Sequence, residues 1–333
     1  MKLIVQIPCY NEESTLPEVV AGIPREIEGF DAIEVLVIDD GSTDRTAEIA
    51  QQIGVDHLVR LTSNQGLARA FREGLDACLR LGADVIVNTD GDHQYPGGHI
   101  PTLTLPIIRG DADIVVGDRQ TATVDEFSWT KKRLQSLGSG VVRLLSGTSV
   151  PDAVSGFRAI SRRAALELNI VSGFSYTIEM LIQAGSKGLK VVSVPITTNP
   201  TTRPSRLAKS TAGFIARSVA TMARVYSMYS PLRTFTFIGA AIGALGAAPI
   251  LRFLYFWWIG QGDGHIQSLV LGGVLIVIGF ISLMIGLVAD LISFNRQLLE
   301  MTLERVRRLE LAEQAKEGSG GGIQMSRDST SGV

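Results

Sequence analysis

The residues best suited to chemistry lie in the stretch Asn88-Thr89-Asp90-Gly91-Asp92-His93-Gln94-Tyr95-Pro96-Gly97-Gly98, which follows the apolar run Val85-Ile86-Val87. Asp90, Asp92 and Gln94 place an oxygen-bearing side chain at every second position. Alternate residues of an extended stretch project to one side, and carboxylate and amide oxygens are the donors that Mg2+ and Mn2+ favour. The stretch reads as a metal grip, against the plainer reading of a polar turn. Two further polar clusters follow apolar runs: Pro8-Cys9-Tyr10-Asn11-Glu12-Glu13 and Asp39-Asp40-Gly41-Ser42-Thr43-Asp44. Taken singly, each has a local explanation, since Asn11 or Ser14 can cap a helix and Asp-Gly-Ser-Thr-Asp is an ordinary turn. Three such clusters at the ends of apolar runs are harder to dismiss. His93 and His99 have no further His or Cys at ligand spacing, so no zinc site is expected from them.

The elements that must position these clusters alternate. Strands are expected over 3–7, 34–38, 57–61, 84–88, 114–117 and 191–194, and helices over 13–23, 45–52, 67–81 and 100–108. Strands alternating with helices imply an α/β domain with a mostly parallel sheet. Such sheets bind ligands at the carboxyl ends of their strands, near a topological switch point, which is where the three clusters fall. No GxGxxG follows the first strand and no GxxxxGK[ST] occurs, which counts against dinucleotide-binding and P-loop folds.

The ordered set Pro-x-Tyr-Asn-Glu-Glu, Val-Ile-Asp-Asp-Gly-Ser-x-Asp, Asp-Gly-Asp-x-Gln-x-Pro, Gly-Asp-Arg and Ser-Gly-Phe-Arg resembles family 2 glycosyltransferases of GT-A (Rossmann-like) fold. With the C-terminal architecture described below, the chain looks most like the polyprenyl-phosphate glycosyltransferases, relatives of dolichyl-phosphate mannose synthase. The resemblance implies a nucleotide-sugar donor (UDP- or GDP-linked, glucose or mannose), Mg2+ or Mn2+, and a polyprenyl (undecaprenyl or dolichyl) phosphate acceptor. It places base and ribose against Pro8, Tyr10, Glu12 and Asp39. It makes Asp92 and Gln94 metal ligands, with Asp90 at the ribose or supporting the ion. Because the acceptor phosphate is already an anion, the site needs cations that align it rather than a strong base. Arg119 matches the family's Gly-x-Arg position, Arg133 with Ser136 is a further candidate, and Asp152 matches a position given a base-like role. Glu179 reads as structural. Arg203 and Arg206 stand in the basic loop beside the diphosphate, where this chain departs from the commoner Gly-x-Ser-Lys form. One-step displacement implies inversion at the anomeric carbon. Two alternatives stand beside this reading: a processive polysaccharide synthase, whose Gln-x-x-Arg-Trp motif is not present around Trp129, Trp257 or Trp258, and a catalytically silent scaffold of the same fold.

Composition fits this division. The chain has 333 residues and a formal charge of −2, so no basic excess points to nucleic acid. Mean hydropathy is +0.23, with the excess beyond residue 230. Cys9 and Cys78 have no CxxC spacing, which suits a reducing compartment, and no secretory leader is visible. Residues 234–251 and 268–289 carry no charge, and a bilayer core needs about 20 apolar residues per helix. Arg206, Lys209, Arg217, Arg224 and Arg233 precede the first run, and Arg296, Arg305, Arg307 and Arg308 follow the second, while 260–267 has no Lys or Arg. That asymmetry predicts a hairpin in the cytoplasmic membrane with both ends in the cytoplasm. Arg252 is expected to snorkel beside the aromatic cluster 253–258. The divisions expected are a catalytic domain over 1–205, an interfacial amphipathic helix over 206–232, spans at about 234–259 and 268–294 within 233–295, and a cytoplasmic helix with a disordered Gly/Ser-rich tail over 296–333. The Gly239–Gly243 step suggests close helix packing and homo-oligomerisation.

Overall fold

The computed structural model describes residues 1–120, 129–171, 176–200, 211–261 and 265–318, with side chains throughout except at 129–137, 211–216, 218 and 315–318. Arg203, Arg206 and the tail beyond 318 lie outside the described residues, as does the side chain of Arg133. In chain order the elements are β1 (Lys2–Cys9), α1 (Leu16–Ala21), β2 (Ala32–Asp39), α2 (Thr46–Gln52), β3 (His57–Arg60), α3 (Leu67–Arg80), β4 (Val85–Asn88), α4 (Ile100–Ile108), β5 (Ile114–Asp118), α5 (Trp129–Ser146), β6 (Arg158–Ser161), α6 (Arg162–Glu167), α7 (Tyr176–Ser186), β7 (Val191–Pro195), α8 (Thr211–Tyr229), α9 (Pro231–Trp258) and α10 (Ile266–Gly318).

Seven strands form one sheet in the order β3-β2-β1-β4-β6-β5-β7. β1 is the third strand, inside the sheet between β2 and β4, and is buried along nearly its whole length, as expected of a strand covered on both faces. Leu3, Val5 and Ile7 enter one apolar cluster with α1 and α4, while Ile4 enters the other with α3, α6 and α7. The period of two along β1 thus feeds two cores. Buried Gln6 interrupts the second side and donates to Asn88 Oδ1 at 2.9 Å. A Cβ at Gly74 would come within 2.6 Å of Gln6 Oε1, so α3 needs a glycine where it crosses this pair.

The chain reverses sheet order between β1 and β4, both parallel to each other, and this is the switch point. β6 is the strand the sequence reading did not include. It pairs antiparallel with both β4 and β5, with Asn88 opposite Arg158. Because it runs backwards, its start meets the end of β4, and the residues before it are delivered to the carboxyl edge of the sheet.

α9 and α10 pack antiparallel through glycines. A Cβ on Gly239 would lie 2.7 Å from the Gly279 carbonyl, one on Gly246 2.9 Å from that of Gly272, and one on Gly286 2.7 Å from Phe235 Cβ. The Gly239 face, expected to serve contacts between copies, is therefore taken up inside the chain. Both helices are long and apolar enough to cross a membrane, and only 11% and 17% of their most apolar windows are buried. α10 continues without a break through residue 295, so the second span and the helix after it are a single 53-residue element. Arg252 lies 5.8 Å from the Phe256 ring centroid, near the end of α9.

Candidate active site

The loops after β1 and β2 are zipped together by side chains acting on backbone. Asn11, held at φ 55, donates its N–H to Ser42 Oγ at 2.9 Å and accepts from Thr43 N at 2.8 Å. Glu12 N donates to Thr46 Oγ1 at 2.8 Å, and Glu13 Oε2 accepts from Arg45 N at 3.1 Å. The local capping and turn chemistry read from the sequence is present, but it acts between the two loops and builds one wall. Pro8 sits at the end of β1 opposite Ile38, and Tyr10 is half-buried beside it. Asp39 ends β2 fully buried, with Oδ1 accepting from Ser42 N at 2.9 Å. Its Oδ2 is buried without a hydrogen bond, although the Arg60 guanidinium stands 3.3 Å away as an ion pair. A buried carboxylate oxygen with spare acceptor capacity suits an N–H or hydroxyl of a ligand. Asp40 is spent elsewhere, accepting from Gln65 N and Gly66 N ahead of α3.

After β4 the chain enters the Asp90–Gln94 turn. The alternation expected there does not hold: β4 ends at Asn88, and His93 turns left-handed at φ 60. The turn is shaped instead by Asp92 Oδ1, which accepts from Gln94 N at 3.1 Å. It is also clamped by Asn199, whose N–H donates to the Gln94 carbonyl and whose Nδ2 donates to the His93 carbonyl, each at 2.9 Å. His99 holds the same segment two residues earlier, its Nε2 accepting from Thr197 N at 3.1 Å. Gly91 lies against the first wall, where a Cβ would sit 3.0 Å from Cys9 Sγ and 3.1 Å from Glu12 Cγ; the Gly91 carbonyl is 2.7 Å from Thr15 Oγ1.

Asp90 is pressed from the third side by the turn before β6. A Cβ on Gly156 would lie 2.9 Å from both Asp90 carboxylate oxygens. Asn88 Nδ2 donates to the Gly156 carbonyl at 2.9 Å and to Tyr176 Oη at 3.0 Å, and Gly156 N donates to Tyr95 Oη at 3.3 Å. Burial, and then the neighbouring Asp92 charge, push the Asp90 carboxyl up to about 7 against the pull of Arg119. A carboxyl raised mainly by burial, with a second carboxylate two residues on, is a donor set whose ionised form a divalent cation would favour. Among the described residues no three His, Cys, Asp or Glu side chains group into a closed cage. Asp90, Asp92 and Gln94 fit the group expected there.

The cations divide. Arg119, following β5, donates Nε to Asp152 Oδ2 at 2.7 Å and Nη2 to Oδ1 at 3.0 Å, with side chains 16% and 1% exposed. Asp152 is thus engaged as the carboxylate half of a bidentate pair. Arg158 of Ser-Gly-Phe-Arg is fully buried and donates to the carbonyls of Ser155, Thr177 and Ala153, each at 2.8 Å. It fixes the turn that carries Gly156, and burial lowers it to about 10. Glu179 is structural as expected, accepting from Val171 N at 3.0 Å. Sequence reasoning missed Asn88, Tyr95, Gly156 and Asn199. Gly156 had a signal in its place in the Ser-Gly-Phe-Arg motif, and Asn88 and Tyr95 in theirs within the Asn88–Gly98 stretch; Asn199 had none.

A family profile described as Glycosyl transferase family 2 matches residues 4–168. The chain is 30% identical over 207 residues to the polyprenol monophosphomannose synthase of Mycolicibacterium smegmatis, covering 59% of this chain and 77% of that protein. It is 29% identical over 316 residues to glycosyltransferase AglJ of Haloferax volcanii, covering 92% and 96%. It is 34% identical over 206 residues to the dolichol-phosphate mannosyltransferase of Pyrococcus furiosus, covering 59% and 56%. Among solved structures, glucosyl-3-phosphoglycerate synthase from Mycobacterium tuberculosis, in complex with Mn2+, UDP-glucose and phosphoglyceric acid, superposes with a TM-score of 0.55 at 22% identity, covering 68% of this chain and 80% of that one. At that identity the likeness speaks for the fold.

Proposed function

The chain belongs to glycosyl transferase family 2, and from that premise we propose that it moves a hexose from a nucleotide-diphospho-sugar to polyprenyl phosphate at the cytoplasmic face of a membrane, with inversion. The observation that carries this reading is the Asp90–Asp92 pair at the switch point, walled by the Glu12 and Asp39 loops, on a chain that also bears two exposed helices of membrane length. The relatives named for polyprenol and dolichol-phosphate mannose transfer support the lipid acceptor and mannose among the candidate sugars. The neighbour in complex with Mn2+ and UDP-glucose supports the donor class.

In this reading Glu12 and the unbonded Asp39 Oδ2 accept from base or ribose donors, with Pro8 and Tyr10 as flanking surface. Asp92 and Gln94 hold the ion, and Asp90 supports it from beneath. When bound, Mg2+ or Mn2+ neutralises the charge that develops on the leaving diphosphate. Arg119 supplies a fixed positive charge beside Asp90, and Asp152 keeps its guanidinium in one plane. Asp152 is better read as positioning Arg119 than as a general base, since both its oxygens accept from that guanidinium and a phosphate nucleophile arrives already deprotonated. Arg133 and Arg206 remain candidates for the acceptor and donor phosphates. The α9–α10 hairpin and α8 bring this site to the depth of the lipid phosphate, with both chain ends in the cytoplasm.

The test offers detergent-purified protein a panel of radiolabelled UDP- and GDP-sugars with polyprenyl phosphate and Mn2+. Label entering the organic phase from one donor supports the reading and names the sugar. No transfer from any donor, with the lipid bound, favours the scaffold alternative.

A further inference from the structure

Past its membrane-length part, α10 carries its polar side inward. Arg296 stacks over Tyr229 at 3.8 Å, Glu300 pairs with Lys187 at 2.8 Å, Arg307 Nη1 donates to the Leu168 carbonyl at 3.4 Å, and Leu311 packs on the N-terminal core. The opposite side is apolar and open, with Leu299 69%, Val306 43% and Leu309 70% exposed. A helix resting on a soluble domain ordinarily buries its apolar stripe and shows its charges to water; here there is a partial reversal, since Arg296, Glu300 and Arg307 lie inward while Leu299, Val306 and Leu309 face out beside exposed Arg305, Arg308 and Glu310.

Lipid does not account for the reversal. Ser293 Oγ donates to the Met228 carbonyl and Gly286 faces Phe235 near the start of α9, so the inner edge of the hairpin lies at about these residues. At 1.5 Å per residue Leu299 stands about 9 Å beyond Ser293 and Leu309 about 24 Å beyond it, the latter well outside the hydrocarbon.

We propose that this stripe is the seam for a second copy of the chain, packing α10 against α10 in parallel. Ile292, Leu299 and Val306 recur at every seventh position, and Asn295, Thr302 and Leu309 interleave with them at alternating steps of three and four. That is coiled-coil spacing, with branched residues in one set and two polar positions that weaken the seam while setting its register. The flanks are self-complementary, since parallel pairing sets Arg305 of each copy beside Glu310 of the other, five residues on. Two copies inserted the same way into one membrane are related by an axis along its normal, which requires the parallel arrangement. The side of α10 that holds the catalytic domain is opposite the seam, so the two domains stand outward without clashing. This inference rests on the membrane reading above.

Cysteine cross-linking of the full chain in isolated membranes tests it, and the native thiols do not interfere because Cys9 and Cys78 are buried. Under mild oxidant, Thr302→Cys and Leu309→Cys are expected to give disulfide dimers, and Glu304→Cys, on the inward side, is not. Arg305→Glu is expected to reduce cross-linking at 309 severalfold, and adding Glu310→Arg to restore it. Equal dimer at 304, or none at 302 and 309 while the chain stays in the carbonate-resistant pellet, overturns the seam alone. Release of the chain into the carbonate supernatant overturns the membrane reading, and the seam with it.

Discussion

At Asp90 the space for a carboxylate is set by a residue without a side chain. A Cβ at position 156 would sit 2.9 Å from both Asp90 oxygens, so Gly156→Ala must displace either the carboxylate or the turn before β6. Overpacking of this kind costs about 1–3 kcal/mol. The expected result is a folded protein with a lowered melting temperature and a larger fall in kcat than in stability; unchanged transfer would show that Asp90 does not need its observed place. The Arg119–Asp152 pair makes a different demand. Both partners are nearly buried, so truncating one strands the other charge, at a cost of about 3–5 kcal/mol. Asp152→Ala is expected to lower the unfolding free energy by that much, read as a fall in the denaturant midpoint, as well as to lose activity. If activity falls with the midpoint unmoved, Asp152 acts in the chemistry and not through Arg119.

Among the elements, six of the seven strands were legible: β1, β2, β4 and β5 are largely buried and read as continuous apolar runs, and the edge strands β3 and β7 carry shorter ones. β6 was not, since it begins with Arg158, a side chain buried through three carbonyl contacts that the sequence does not display. With β6 unseen, the turn carrying Gly156 had no reason to be placed at Asp90. The oxygen-bearing residues Asp90, Asp92 and Gln94 were legible by type, but strand alternation does not arrange them: a left-handed His93 and the Asn199 clamp, which joins segments far apart in sequence, shape the turn. That clamp is testable. Asn199→Ala removes the donor to the His93 carbonyl and is expected to weaken Mn2+-dependent UDP or GDP binding by about tenfold to a hundredfold, as outer supports of metal ligands do. Titration calorimetry with and without Mn2+ reads it, and equal affinity would show the turn to be rigid without its clamp.

For the whole molecule, the two apolar helices could be read from charge-free runs. Their mutual packing could not, because a glycine step does not say whether its partner lies in the same chain. Leucine at position 279 would collide with the Gly239 carbonyl, and close approach is what such glycines allow. Gly279→Leu is therefore expected to lower the melting temperature in detergent while soluble-domain nucleotide binding survives; an unchanged melt would mean the hairpin is not packed through this face. The central claim joins both halves of the chain, a metal-assisted sugar transfer onto a lipid phosphate. Its most direct test compares label transfer to polyprenyl phosphate and to unphosphorylated polyprenol, by the wild-type chain and by Asp92→Ala. An ion that neutralises the leaving group contributes several kcal/mol, on the order of a thousandfold in rate. The expected result is transfer by wild type to the phosphate alone, with Asp92→Ala slower by that factor. Transfer to the alcohol as readily as to the phosphate, or an Asp92→Ala protein as fast as wild type, would contradict it.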